Sequence, residues 1–371
     1  MVLASETPQP PAKPSRGSQC LATMQKARSA EIEPASPPRG PQRLEYLGRA
    51  FDDAGRNIAT PSATFALVAT MVGGGVLSLP YAMSQCGIAL GTVALLTSAF
   101  LSTWTLDMLV DCARRTGLDT FELIGHAAFG EYSRKITVLL VFVLTWLAMV
   151  AYSVLLPDLF VPVVELLAPS ITESFSKEAF HRLTLLTATC LVSPMCFASG
   201  LSALRFLCFA SVGSVVFVGI VIQTRAWESF GGLHDISIML PSRDTISIKV
   251  GSHYDWWPRD WAQALYVFPM FGVSFMCHFN ALPTHQELQR PTRWRMRRVL
   301  VLTVSLTSVL YLWIGISGYV FAEVGTCGNI LLNFPRGDPM VVFARAALGC
   351  VIMLNFPLIC QPCRGALYRI L

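Results

Sequence analysis

The chain has 371 residues, of which 53% are hydrophobic and only 14% charged, with a mean hydropathy of +0.53. Soluble domains carry roughly 25% charged residues, so a water-soluble fold of this size is excluded. The net charge of +5 lies in the stretches between apolar blocks, with five Arg residues between Arg290 and Arg298; that placement follows the positive-inside rule and sets nucleic acid aside as a partner.

Residues 1–60 are rich in Pro, Ser, Ala and charge and lack apolar periodicity. Clusters such as Pro8-Gln9-Pro10-Pro11 and Pro37-Pro38 forbid regular helix. This stretch reads as a disordered cytoplasmic tail, with a short amphipathic piece near Leu44 to Phe51.

Eight apolar blocks follow, near residues 62–83, 86–110, 136–156, 183–199, 204–223, 261–284, 299–321 and 340–360. A span needs about 20 such residues, and no block alternates as a barrel strand would. The expectation is an all-α polytopic membrane protein with a transmembrane domain over 61–371. The fourth block is the shortest, and Pro194 interrupts it. With the N-terminus inside, cytoplasmic connections hold 12 Lys and Arg and external ones hold 7. The N-terminus is therefore read as cytoplasmic.

Chemistry is expected in two spans. The first contains Gly73-Gly74-Gly75, and each glycine costs a helix interior about 1 kcal/mol relative to Ala. Unwound backbone there would free amides for a carboxylate, as in the broken helices of transporters; close packing of small residues is the alternative. The sixth contains Pro269 and Gly272, which together predict a second interruption. Two interrupted spans five apart, running in opposite directions, are what an inverted repeat requires.

The run from Gly73 to Ala82, with Gly87, resembles the first-helix signature of amino acid/auxin permeases, especially the sodium-coupled neutral amino acid transporters. Phe275, Cys277-His278, Leu282-Pro283 and Glu287-Leu288 are similar to the sixth helix of that group. Pro357 and Pro362-Cys363-Arg364 resemble the end of its eighth. The likeness covers about Ser62 to Leu371. It implies a LeuT-like inverted-repeat transporter fold and secondary active transport of amino acids by alternating access, driven by sodium or a proton. It further implies that the Gly73, Gly74 and Gly75 amides hold the substrate carboxylate. The carbonyls of Thr70 and Met71, with backbone from Phe271 through Gly272 to Ser274, would take its ammonium group. Such a repeat has at least ten spans, so about eight are expected here and the last are expected to be missing.

Where sodium-dependent relatives place an Asn in the first helix this chain has Ala69, and at the partner position, a hydroxyl residue in those relatives, it has Asn355. One side-chain oxygen fewer weakens a sodium site, so proton coupling or ion-independent transport is expected. Asn355 and His278 are the candidate coupling residues. His278 exchanges a proton near neutral pH, or else serves as a neutral imidazole bonded to helix backbone. Asp107 reads as an end-cap or snorkelling residue, Arg345 as one reaching headgroups or Asp338, and Trp256, Trp257 and Trp261 as interface anchors.

Apolar Met71, Val72, Phe271 and Phe275 suggest neutral substrates. No resident cofactor is expected beyond a co-transported proton or sodium, and no metal site, because the Cys360–Cys363 pair has no second pair. No nucleophile and base gather at one face, so an enzyme is not expected. The partners are then an amino acid and the bilayer of a plasma, vacuolar or lysosomal membrane. The alternative is a transporter-like amino acid sensor whose tail engages a cytoplasmic partner.

Overall fold

In the computed structural model the described residues are 58–118, 120–170, 175–197, 204–230, 234–239, 245–250, 254–290 and 292–370. The tail expected over 1–60 lies outside them except for its last residues, as does the amphipathic piece at 44–51. Ile58 is buried and forms a parallel bridge with Leu288.

The first span is broken. Helix α1, Thr60–Met71, carries Pro61 in its first turn, where a missing N–H is harmless. The glycines then replace α-helix by a 3₁₀ turn, Gly74–Ser78, before α2, Leu79–Cys86. The two halves meet at a bend of 53°. Gly87 turns the chain at φ +76 into α3, Ile88–Thr116. A side chain at Gly87 would also strike the Trp256–Trp257 backbone.

Short α4, Phe121–Phe129, leads into α5, Glu131–Leu167. At 37 residues, α5 is about 55 Å long, well beyond the ~30 Å hydrocarbon core of a bilayer. Helices α6, Lys177–Phe197, and α7, Leu204–Ser229, follow, and α6 runs through Pro194. After a hairpin come α8, Trp261–Ser274, and α9, His278–Glu287. Asp260 caps α8 by accepting the Ala262 N–H at 2.8 Å. Helices α10, Arg293–Ala322, and α11, Pro339–Ile370, complete the described chain.

Two sequence expectations are corrected. The molecule is almost all helical, not all-α: β1, His234–Met239, pairs antiparallel with β2, Thr245–Val250, in the register His234↔Val250 to Met239↔Thr245. Ile236 pairs with Ile248 and Ile238 with Ile246, and along the sequence these isoleucines recur at the two-residue period of a strand. The second break falls at Phe275–Cys277, because α8 continues unbroken through Pro269 and Gly272.

Among the described residues, six spans are long and apolar enough to cross a membrane, with α8 and α9 counted together as Trp261–Glu287, and seven if α1 and α2 also count as one bent span. Helix α6, matching the fourth expected block, is long but less apolar, with Lys177, Glu178, His181 and Arg182 in its first turns. Their outward faces carry Phe100, Trp104, Leu140, Leu147, Leu186, Val309 and Phe343 in the open, surface that hydrocarbon solvates and water does not.

Helices α5, α6 and α11 pack on one another, while α1, α2, α3 and α7 gather around α10 and α7 also packs on α11. Leu67, Val68, Phe271, Phe275, Tyr311 and Ile314 form the centre of the apolar core. Arg345 is also corrected. It is fully buried and turns into the loop after α10, donating to the Leu331 and Phe334 carbonyls at 2.5 and 3.2 Å. Asp338 pairs instead with Arg225 at 2.7 Å. A guanidinium aimed at two buried carbonyls supplies donors that water would otherwise provide.

Candidate functional site

A break in a helix strands carbonyls before it and amides after it. Here α1 and α8 both end at a break, so their carbonyl-rich, partially negative termini converge. The 3₁₀ turn before α2 and the start of α9 lead away from the same region.

Side chains from neighbouring helices satisfy much of the exposed backbone. The Tyr311 hydroxyl of α10 lies 2.7 Å from the Met71 carbonyl and 2.9 Å from the Ser274 carbonyl. Ser102 Oγ of α3 donates to the Phe275 carbonyl at 3.0 Å. Within the breaks, the Gly73 N–H donates to Met71 O at 2.9 Å, and Ser78 Oγ to Gly75 O at 2.8 Å. Phe275 and Met276 donate their N–H groups to the Gly272 and Val273 carbonyls.

The breaks lie side by side. A Cβ on Gly75 would sit 3.9 Å from Ser274 Oγ, while one on Gly73 would collide with the Tyr152 hydroxyl of α5. Asn280 Nδ2 of α9 donates to Thr70 Oγ1 at 3.1 Å, and Thr70 Oγ1 donates to Ala66 O at 2.9 Å.

Beside the breaks lies a cavity of about 1000 Å³, walled by α3, α5, α8, α9 and α11, with Ser102, Thr105, Val141, Gly272, His278 and Asn280 in its lining. It extends to the bundle end, where Glu122 and Arg369 form an ion pair at its rim. Apart from His278, these two carry the only ionisable side chains in the lining among the described residues. The same end of the bundle carries the Asp107–Arg297 and Asp111–Arg293 pairs at 3.9 and 3.8 Å, so Asp107 meets a cation there.

Of the residues singled out from sequence, Met71, Gly73, Gly75 and Ser274 come together around Tyr311 and Tyr152, and Gly74 opens the 3₁₀ turn. Thr70 joins through Asn280. Gly272 and His278 line the cavity, and His278 Nε2 lies 2.9 Å from Thr105 Oγ1, a side chain where backbone was the alternative partner. Phe271 is packed wholly inside the core. Asn355, buried on α11, donates through Nδ2 to Ser211 Oγ of α7 at 3.2 Å, and its Oδ1 is buried without a hydrogen-bond partner among the described residues. The Gly73 amide and the Met71 carbonyl, both assigned to substrate by resemblance, already have partners within the protein.

Sequence reasoning missed Tyr311, Tyr152, Ser102 and Asn280. Each is a polar group inside or beside an apolar block, a signal in itself because such groups need partners away from water.

Relatives share this chain's sequence along most of its length. "Putative sodium-coupled neutral amino acid transporter 11" of Danio rerio is 25% identical over 310 residues, covering 83% of this chain and 65% of the relative. The protein of the same name from Rattus norvegicus is 22% identical over 324 residues, covering 86% and 66%. "Solute carrier family 38 member 10" of Homo sapiens is 24% identical over 314 residues, covering 82% and 26%. The chain thus spans less than two thirds of the length of these relatives. A family model described as "Transmembrane amino acid transporter protein" matches residues 56–371. With its several apolar helices the chain is an integral, multi-pass membrane protein, and it belongs to that family, one of transporters and not of enzymes.

Proposed function

We propose that the chain carries neutral amino acids across a membrane by alternating access, binding the zwitterion between the two breaks. The observation that carries this reading is the meeting of two helix C-termini and two helix starts beside one large, mostly uncharged cavity. An ammonium group is favoured at carbonyl-rich helix ends and a carboxylate at amide-rich ones. Discontinuous spans are where transporters hold such ligands. In this reading α1–α2 and α8–α9 are the equivalent broken spans of a LeuT-like inverted repeat. The printed names of the relatives from Danio rerio and Rattus norvegicus, neutral amino acid transporters, support the substrate class.

The cavity extends to the end that the loop charges assign to the cytoplasm, which makes this an inward-open arrangement with a cytoplasmic N-terminus, in a plasma, vacuolar or lysosomal membrane. Coupling is to protons. Ala69 offers no side-chain oxygen, whereas His278 lines the cavity and can exchange a proton.

The test is uptake of a radiolabelled amino acid panel by the full chain in lipid vesicles, at two pH values and with sodium replaced by choline. Neutral amino acids should accumulate under an inward proton gradient regardless of sodium, and His278→Gln should abolish that stimulation. Strict sodium dependence overturns the coupling. Binding without flux turns the reading to a sensor, and neither binding nor flux overturns it altogether.

A further inference from the structure

We infer that Tyr311 is the positioning residue of the site, a single hydroxyl that holds the two broken spans in register so that their carbonyls face one ammonium group. The inference rests on the transport reading for its ligand, and on geometry for the role itself.

Met71 is the last residue of α1 and Ser274 the last of α8, so the two carbonyls belong to two helix C-termini. Both termini carry partial negative charge and repel each other. Tyr311 is fully buried and lies within hydrogen-bond reach of both carbonyls. Its ring is fixed against Phe275, with centroids 5.2 Å apart, so the hydroxyl cannot swing away. The helix that carries it packs directly on α1, α2 and α3, which makes α10 the frame from which both breaks are measured.

One hydroxyl has one hydrogen. It serves two acceptors and fully satisfies only one at a time. Met71 O also accepts the Gly73 N–H at 2.9 Å, so the Ser274 carbonyl is the one that depends on the phenol, and each carbonyl oxygen keeps a second lone pair that a further donor can use. A primary ammonium brings three N–H groups and a positive charge, the donor that two converging helix C-termini favour. The phenol thus sets the spacing of the carbonyls, whose remaining lone pairs can accept from an ammonium group. A ligand lacking the ammonium group, such as the matching carboxylic acid, brings no donor to them.

The full chain in detergent tests this with Tyr311→Phe, which keeps the ring, and Tyr311→4-aminophenylalanine, which keeps the ring and a donor. Tyr319→Phe is the control, because Tyr319 lies on the same helix and its hydroxyl accepts the Asp255 N–H at 3.0 Å, away from the breaks. Two readouts are taken: amide hydrogen exchange over 72–78 and 275–277, and binding of radiolabelled neutral amino acids.

Tyr311→Phe should speed exchange at both breaks together by about tenfold or more, and weaken binding about tenfold. The amino variant should restore both, and Tyr319→Phe should change neither. Unchanged exchange at either break, or an equal change in Tyr319→Phe, overturns the role of Tyr311. Failure of the wild-type chain to bind any neutral amino acid sinks the transport reading instead, and the exchange result still decides the positioning role.

Discussion

Gly73 and the Tyr152 hydroxyl compete for the same space: a methyl group on Gly73 would run into that oxygen. The end of a phenol ring is stiff, so either the ring or the break must move. Gly73→Ala should therefore lower amino acid binding and uptake at least tenfold, and Tyr152→Phe in the same chain should recover part of the loss. Uptake into lipid vesicles, with binding measured in parallel, checks both.

Gly75 and Gly272 give the contrasting expectation. A Cβ on Gly75 would make an ordinary contact with Ser274 Oγ at 3.9 Å, and one on Gly272 would meet nothing within 4 Å. Since Gly272 lies inside α8, Gly272→Ala should raise helix stability by up to about 1 kcal/mol. A thermal melt in detergent should show a slightly higher midpoint, with binding changed less than threefold for either variant.

Removing Arg345 should be felt as stability. Arg345→Met keeps bulk but strips the Phe334 carbonyl of its guanidinium donor and leaves the Leu331 carbonyl only the long bond from the Phe334 N–H at 3.4 Å. Leaving buried carbonyls unpaired costs about 1–3 kcal/mol, so the melting midpoint should fall. Should the midpoint stay put, those carbonyls have found water.

Thr70 and Asn280 should behave as a coupled pair. Thr70→Val and Asn280→Ala each remove one side of a bond joining α1 to α9. Each should slow uptake, and the double variant should be little worse than either single one. A coupling free energy of about 0.5–1.5 kcal/mol, taken from a double-mutant cycle on uptake, is the expected value; full additivity would sever the link.

The first break was legible because three adjacent glycines cannot sustain an α-helix against the alternatives. The second was placed too early. Pro269 and Gly272 mark a weak helix, yet the chain unwinds only at Phe275, where Ser102 and Tyr311 are ready to take the freed carbonyls. Those partners lie 173 and 37 residues away, so no local pattern announces them. The hairpin was missed for another reason. Its isoleucines alternate plainly, but the stretch sits among charged residues between two apolar blocks and reads as a loop.

Ile58 exchanges backbone hydrogen bonds with the far end of α9: its N–H donates to Glu287 O at 3.1 Å, and its carbonyl accepts from Gln289 at 3.0 Å. Together with the Thr70–Asn280 bond, this laces α1 and α9 at both extremities. Two rods tied top and bottom act as one lever, so neither can tilt alone. A tug on the chain ahead of Ile58 is delivered to both half-helices at once.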